Sequence, residues 1–253
     1  MKIVTFNLKC VWHDSEGRGF DRRAEIVFSK IHSASPDVIA FQEATEPIIA
    51  SLREGLPDYD IVFAQRDADM GGEGLATAYR RGAFELLTLD RFWLSPDPGV
   101  PGSRFKNQSQ CPRICQCSLL RRVKDGLLFR VYNVHLDHQS EEACRLGIGL
   151  VLKLIKKERR RSPLPLFLLG DFNVLPDSAA VRMCSNNGAL TDLTADISGT
   201  FHDFGIENPP SKIDYIFTDK GTASKLLGTR LWTEEKDGLT LSDHYPVEAE
   251  LDM

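Results

Sequence analysis

Short apolar runs rich in β-branched and aromatic residues alternate along the chain with stretches whose apolar residues recur at helical spacing. Gly, Pro and Asp punctuate the changeovers. The runs predict strands over Lys2 to Asn7, Val38 to Gln42, Ile61 to Ala64, Leu75 to Arg80, Glu85 to Leu94, Ile114 to Arg121, Leu127 to His135, Leu164 to Gly170, Ile213 to Thr218 and Val247 to Leu251, with another near Gly228 to Trp232. Apolar spacing predicts helices over Arg22 to Ser33, Glu46 to Glu54, Glu141 to Arg160 and Ser178 to Cys184, the third opening after a Ser140 cap. About ten strands exceed what one open sheet easily holds. The expected fold class is therefore α/β, with two mixed β-sheets packed face to face and helices outside. Nothing reads as a linker and no internal repeat is visible, so residues 1–253 are expected to form a single domain.

Hydrophobic residues make up 42% of the 253 positions and charged residues 26%, an ordinary globular balance. With 31 Lys and Arg against 36 Asp and Glu the formal net charge is -5, which excludes a phosphate-attracting field over the whole surface. Any nucleic-acid contact must be local. No stretch approaches the roughly 20 apolar residues of a membrane span. Met1-Lys2 runs straight into Ile3-Val4-Thr5-Phe6, so no cleavable signal is expected. A cytoplasmic monomer without membrane insertion, its six cysteines reduced, is the expectation. The basic run Lys156-Lys157-Glu158-Arg159-Arg160-Arg161 reads as a solvated helix end complementing the macrodipole rather than a nucleic-acid patch. Cys115 and Cys117 alternate along a strand beside Cys111 without a fourth ligand at zinc spacing, so no metal is expected there.

The chemistry gathers at strand ends. Apolar runs end in polar residues that do not belong in a core: Asn7, Glu43, His135, and Asp171 with Asn173, while Asp243-His244 precedes Tyr245-Pro246-Val247. Burying each without partners would cost roughly 2–7 kcal/mol, so the simplest account is convergence on one polar site. Carboxylates and amides are hard ligands suited to Mg²⁺ or Mn²⁺ at a phosphate, and two histidines add proton transfer. His32, on a helix, reads as structural, whereas His202 and Asp203 stand close enough in sequence to Asp214 to border a pocket.

Thr5-Phe6-Asn7, Phe41-Gln42-Glu43, Asn133-Val134-His135-Leu136-Asp137, Gly170-Asp171-Phe172-Asn173, Lys212-Ile213-Asp214-Tyr215-Ile216 and Ser242-Asp243-His244-Tyr245-Pro246 occur in this order. Together they resemble the endonuclease/exonuclease/phosphatase superfamily over essentially the whole chain. Phe92-Trp93-Leu94-Ser95, Pro112-Arg113-Ile114 and Leu136-Asp137-His138 followed by Arg145 are similar to a compact bacterial metal-dependent hydrolase branch. The resemblance implies a four-layered α/β sandwich with its site at one edge of the two sheets. It implies Glu43 as principal metal ligand, assisted by Asn7 and Asp243, and His244, held by Asp214, contacting the scissile phosphate or acting as base. Asp171 and Asn173 would align the water and the phosphate oxygens, and His135 would protonate the leaving oxygen, as in the deoxyribonuclease I and sphingomyelinase branches.

The variable loops Lys9 to Arg23 and Arg104 to Arg113 mix aromatics with a few cations, including Trp12, Arg18, Phe105, Lys106 and Arg113. Asn7, Trp12 and Arg113 are therefore the expected substrate contacts, with too little charge to grip a long duplex. The expected activity is Mg²⁺-dependent hydrolysis of a small or flexible phosphate ester, a phosphodiester for choice. Two alternatives stand beside it: a DNA repair endonuclease of the same superfamily, and a catalytically silent binding module, which the presence of Glu43, Asp171, Asp214 and His244 disfavours.

Overall fold

A computed structural model describes residues 1–186 and 189–253. In chain order it has β1 (Lys2–Asn7), α1 (Phe20–Ala34), β2 (Val38–Ala44), α2 (Glu46–Gly55), β3 (Tyr59–Gln65), β4 (Gly74–Arg80) and β5 (Phe84–Trp93). There follow β6 (Ile114–Arg122), β7 (Leu128–His135), α3 (Glu141–Arg161), β8 (Leu166–Asp171), α4 (Ala179–Ser185), β9 (Thr191–Asp192) and β10 (Asp214–Thr218). The chain ends with α5 (Lys220–Ala223), β11 (Leu226–Leu231), β12 (Glu235–Lys236), β13 (Leu239–Thr240) and β14 (Val247–Leu251). Every strand and helix expected from periodicity forms, with ends displaced by a residue or two. Those not anticipated, β9, β12, β13 and α5, are too short to show a period.

Alternation sorts the strand side chains into layers. On β1, Val4 and Phe6 pack with Ile39 and Phe41 of β2 beneath the buried stripes of α1 and α2, while Ile3, Val38 and Ala40 face the other way. On β7 and β8, Tyr132, Val134, Leu166 and Leu168 meet α3 and α4, whereas Phe129, Val131, Phe167 and Leu169 face inward. Three apolar layers thus separate four structural ones: helices, a sheet ordered β11-β14-β1-β2-β4-β3, a sheet ordered β5-β6-β7-β8-β10-β9, and helices. Both sheets are mixed, with β1 parallel to β2 and β7 parallel to β8 at their centres.

Local chemistry fixes the helices. Ser140 accepts the Ala143 N–H at 3.2 Å to open α3, whose first turn carries Glu141 and Glu142 and whose last carries Arg159, Arg160 and Arg161. These arginines are exposed, as the macrodipole reading requires. Cys115 and Cys117 are buried in β6, and all six cysteines are free. His32 Nε2 lies 3.1 Å from the Gly55 carbonyl, tying α1 to α2. No helix among the described residues is long and apolar enough to cross a membrane.

One residue on the apolar stripe of α1 is a cation. Arg23 is fully buried and donates to the carbonyls of Arg18 at 2.7 Å, Leu241 at 2.6 Å and Leu8 at 2.8 Å. It therefore ties the segment after Asn7 to the segment before His244. Arg23→Leu, which strands these carbonyls, should lower stability by about 2–5 kcal/mol. Urea unfolding checks this, and an unchanged midpoint would contradict it.

Candidate active site

The inward faces of β1, β7, β8 and β10 run from apolar residues into ionisable ones within a single strand. Period-two alternation carries Ile3 and Thr5 to Asn7, Phe129 and Val131 to Asn133 and His135, Phe167 and Leu169 to Asp171, and Ile216 back to Asp214. β7 and β8 pair in register with His135 opposite Asp171, and β8 and β10 with Asp171 opposite Asp214. On β2 the alternation breaks. The pairing with β4 shifts between Phe41 and Ala44, and Glu43 adopts a φ of 56°, which turns its carboxylate to Asn7 instead of the helix layer. A left-handed glutamate is the kind of strain that persists where surroundings overdetermine it. Gly170, φ 144°, allows the close approach of the neighbouring strand: a Cβ there would lie 1.9 Å from the Val134 carbonyl oxygen.

Asn7 is the hub. Its Nδ2 donates to Glu43 Oε1 at 3.0 Å and Asp171 Oδ2 at 2.9 Å, and its Oδ1 accepts the Lys9 N–H at 3.0 Å. Glu43 Oε2 accepts the Cys10 N–H at 2.9 Å. Asp171 Oδ1 accepts the Asn173 N–H at 2.9 Å, and His135 Nε2 stands 3.4 Å from Asp171 Oδ2. Asn173, φ 51°, gives its amide to the Leu136 carbonyl at 3.1 Å. His244 Nδ1 lies 2.9 Å from Asp214 Oδ2, with its Nε2 directed to Asp171 Oδ2 at 3.9 Å. Donor atoms of Glu43, His135 and Asp171 come within 4.8 Å of one another, as do those of Asp171, Asp214 and His244 and those of Cys10, Glu43 and Glu73. The first two groupings share Asp171.

The two histidines sit in opposite fields. Burial disfavours the charged form of His244, yet Asp214, with Asp171 and Asp243 behind it, outweighs that and raises its pKa well above the usual imidazole value. His135 is held well below that value by burial and then by Arg113 and Arg66. These surroundings favour its neutral form. Asp171 is raised by burial and by Asp214, which makes it a better proton acceptor than an ordinary aspartate.

Two other expected site residues have partners of their own. Trp12 is half-buried, stacks on Phe20 with 6.1 Å between centroids and packs against the apolar layer under α1. Asp243 is paired with Lys9 Nζ at 2.8 Å and joins none of the three donor groupings found among the described residues. Its carbonyl, at 2.9 and 3.2 Å from the His202 and Asp203 amides, holds the loop bordering the site, whose Phe201 ring lies 4.9 Å from that of His244. Asn7 presents its amide nitrogen to both carboxylates, so ligation through its oxygen would require the amide to turn.

Three further residues near the site were given no role by the sequence reading. Arg23 lies on an apolar stripe, a visible oddity. Asp137 is buried and accepts from Ser109 N and Oγ and from the Gln139 and Ser140 amides, lashing the loop that carries Arg113 to the end of β7. Arg66 has no signal in its neighbourhood.

The model of the Endonuclease/Exonuclease/phosphatase family matches residues 4–244. The chain belongs to that family. Within solved structures it resembles a mannosyl-6-phosphatase of Bacteroides thetaiotaomicron, 27% identical with a TM-score of 0.89 over 100% of both chains. It also resembles an endonuclease/exonuclease/phosphatase from Bacteroides vulgatus, 30% identical, TM-score 0.88, covering 99% of this chain and 98% of that one. An uncharacterised protein of Acanthamoeba polyphaga mimivirus is 27% identical over 182 residues, 68% of this chain and 67% of its own. Family membership, the fold and the metal-binding groupings support hydrolase activity of the phosphatase or nuclease type.

Because Asp214 supplies the largest upward pull on His244, Asp214→Asn should lower the His244 pKa by roughly 1–3 pH units. Imidazole ¹⁵N NMR across a pH titration measures this, and an unmoved His244 would show that the pair is not coupled.

Proposed function

We propose that this protein hydrolyses a small phosphate ester by metal-assisted attack of water, as part of the compact bacterial branch of its family, with Mg²⁺ as the metal and Mn²⁺ as a substitute. The observation that carries the reading is the meeting of Glu43, Asp171, His135 and the Asp214–His244 pair at one end of the space between two sheets. The donor set fits a hard dication: a carboxylate oxygen of Glu43 with a neutral His135 nitrogen beside it, Asp171 lying next to them free to accept a proton. Such an ion would be held by Glu43 first, and when bound it would offset charge on the phosphate oxygens. Asp171, with its raised proton affinity, takes the proton of the attacking water. His244, charged and fixed by Asp214, donates to a phosphoryl oxygen. Asn173, held by Asp171 and Leu136, orients the other oxygens. That the solved relative at 27% identity is a mannosyl-6-phosphatase agrees with a small substrate.

Of the cations expected at the rim, Arg18 pairs with Glu16 at 3.1 Å and Arg113 is buried, while Arg104 and Lys106 are exposed. A long duplex would find few free contacts.

The test is a panel of sugar phosphates, nucleotides and nitrophenyl esters with Mg²⁺, Mn²⁺ or EDTA, beside a salt titration of duplex binding. Metal-dependent turnover of a small ester with weak, shallow duplex binding is expected. Nicking of abasic DNA without small-ester activity, and a log–log salt slope near about -5, would instead make this a nuclease.

A further inference from the structure

Helix α3 carries a stripe of cations toward its C-terminal end. Lys153, Lys156, Lys157, Arg160 and Arg161 recur at helical spacing, so they share one face, and all five are exposed. Among the described residues none of them joins an ion pair. Glu158, the one carboxylate in the run, turns the other way, accepting from Tyr132 Oη and meeting Arg130 Nε at 3.3 Å. With Arg159, residues 153–161 hold six cations against that one carboxylate, a net +5 in a chain whose net charge is -5. The macrodipole favours cations only in the last turn, which holds Arg159, Arg160 and Arg161. Lys153, Lys156 and Lys157 lie before it. The like charges at i and i+4, Lys153 with Lys157, Lys156 with Arg160 and Lys157 with Arg161, weaken the helix, and no carboxylate among the described residues offsets them.

We infer that this face of α3 docks the protein reversibly on an anionic lipid surface. The stripe continues upstream at the same spacing into Leu150 and Leu146, which are half-buried and join none of the apolar layers, whereas Leu152 and Leu154 of the same helix pack on the core. Leucines beside lysines and arginines on one exposed helical face are the pattern that lies along a charged interface, the apolar groups meeting the acyl boundary and the cations the headgroups. Glu141 to Arg161 contains no aromatic residue, so the face has nothing on which a nucleobase could stack. No helix among the described residues can cross a bilayer, so the contact is peripheral. A negative surface attracts the stripe while the rest of the chain, more negative than the whole, is repelled, and that asymmetry orients the approach. Helix α3 starts just after Asp137 at the site end and is 21 residues long, so the cationic end stands about 30 Å along the helix from that start. Docking there leaves the mouth between the sheets open to water.

The experiment is co-sedimentation of the full chain with vesicles of phosphatidylcholine alone or mixed equally with phosphatidylglycerol, at low and at raised salt. Wild type is compared with a triple variant, Lys153→Gln with Lys157→Gln and Arg160→Gln, and with a charge-keeping triple, Lys153→Arg with Lys157→Arg and Arg160→Lys. Glutamine is a good helix former, and circular dichroism establishes folding. Each cation near an anionic surface contributes roughly fivefold to partitioning, so the glutamine triple should bind the mixed vesicles at least about tenfold more weakly, while the charge-keeping triple binds as wild type does. Raised salt should release wild type, and phosphatidylcholine alone should not retain it. Failure of wild type to bind the mixed vesicles at low salt, or equal binding by the folded glutamine triple, would overturn the inference. Should the glutamine triple not fold, weakened binding by the charge-keeping triple would overturn it as well. A single-stranded oligonucleotide, followed by fluorescence anisotropy, tests the other polyanion: tighter binding per phosphate than to phosphatidylglycerol, lost in the glutamine triple, would overturn the lipid assignment and make the stripe a nucleic-acid surface.

Discussion

A buried pair of neutral side-chain amides joins the two sheets just beneath the site: Gln42 Nε2 on β2 donates to Asn133 Oδ1 on β7 at 2.8 Å. Both partners are otherwise satisfied, Asn133 giving its own amide hydrogens to the Phe41 and Ala76 carbonyls at 3.0 Å and Gln42 accepting from Thr5 Oγ1 at 3.2 Å. Glu43 follows Gln42 directly, and His135 lies two residues beyond Asn133. The spacing between a proposed metal anchor and its imidazole neighbour is thus set by the register of this bond. A slip of one residue would turn each inward group to the helix side and strand several buried amides, each costing about 1–3 kcal/mol.

From this point the space between the sheets grades from apolar floor to amide layer to ionisable mouth. Each step raises what must be satisfied, and the fold answers with local devices: a left-handed Glu43, a left-handed Asn173 and a glycine where β7 and β8 pass closest. Charge is then divided by neighbours rather than by residue type. His244 faces Asp214 and gains a proton, while His135, buried beside Arg113 and Arg66, loses one. The same imidazole serves two ends because the second sheet brings carboxylates to one side of the mouth and the loops before it bring guanidiniums to the other.

Much of this was legible in the residues. A polar side chain closing an apolar run is conspicuous, and Asn7, Glu43, His135, Asp171 and the Asp214–His244 pair all meet where their strands end. The layer architecture followed from strand count and spacing. What was not legible depends on contacts between distant segments. Trp12 looks the same in sequence whether it lines a rim or packs on Phe20. Asp243 reads as a ligand until Lys9 is seen to hold it. His135 is kept neutral by its burial and then by Arg113 and Arg66, 22 and 69 residues earlier in the numbering, and no local pattern announces either arginine. Arg23 shows in sequence as a cation on an apolar stripe, but the three carbonyls it holds do not.

Everything chemical in this account depends on Glu43 holding a divalent cation at the mouth of the inter-sheet space. Calorimetric titration of Mn²⁺ into wild type and Glu43→Gln tests that claim without any substrate, since the substitution keeps size and hydrogen bonding and removes the charge. The account predicts a saturable site in wild type and an affinity at least about tenfold weaker in the folded variant. Equal affinity in the two proteins, or no binding to wild type, would contradict it.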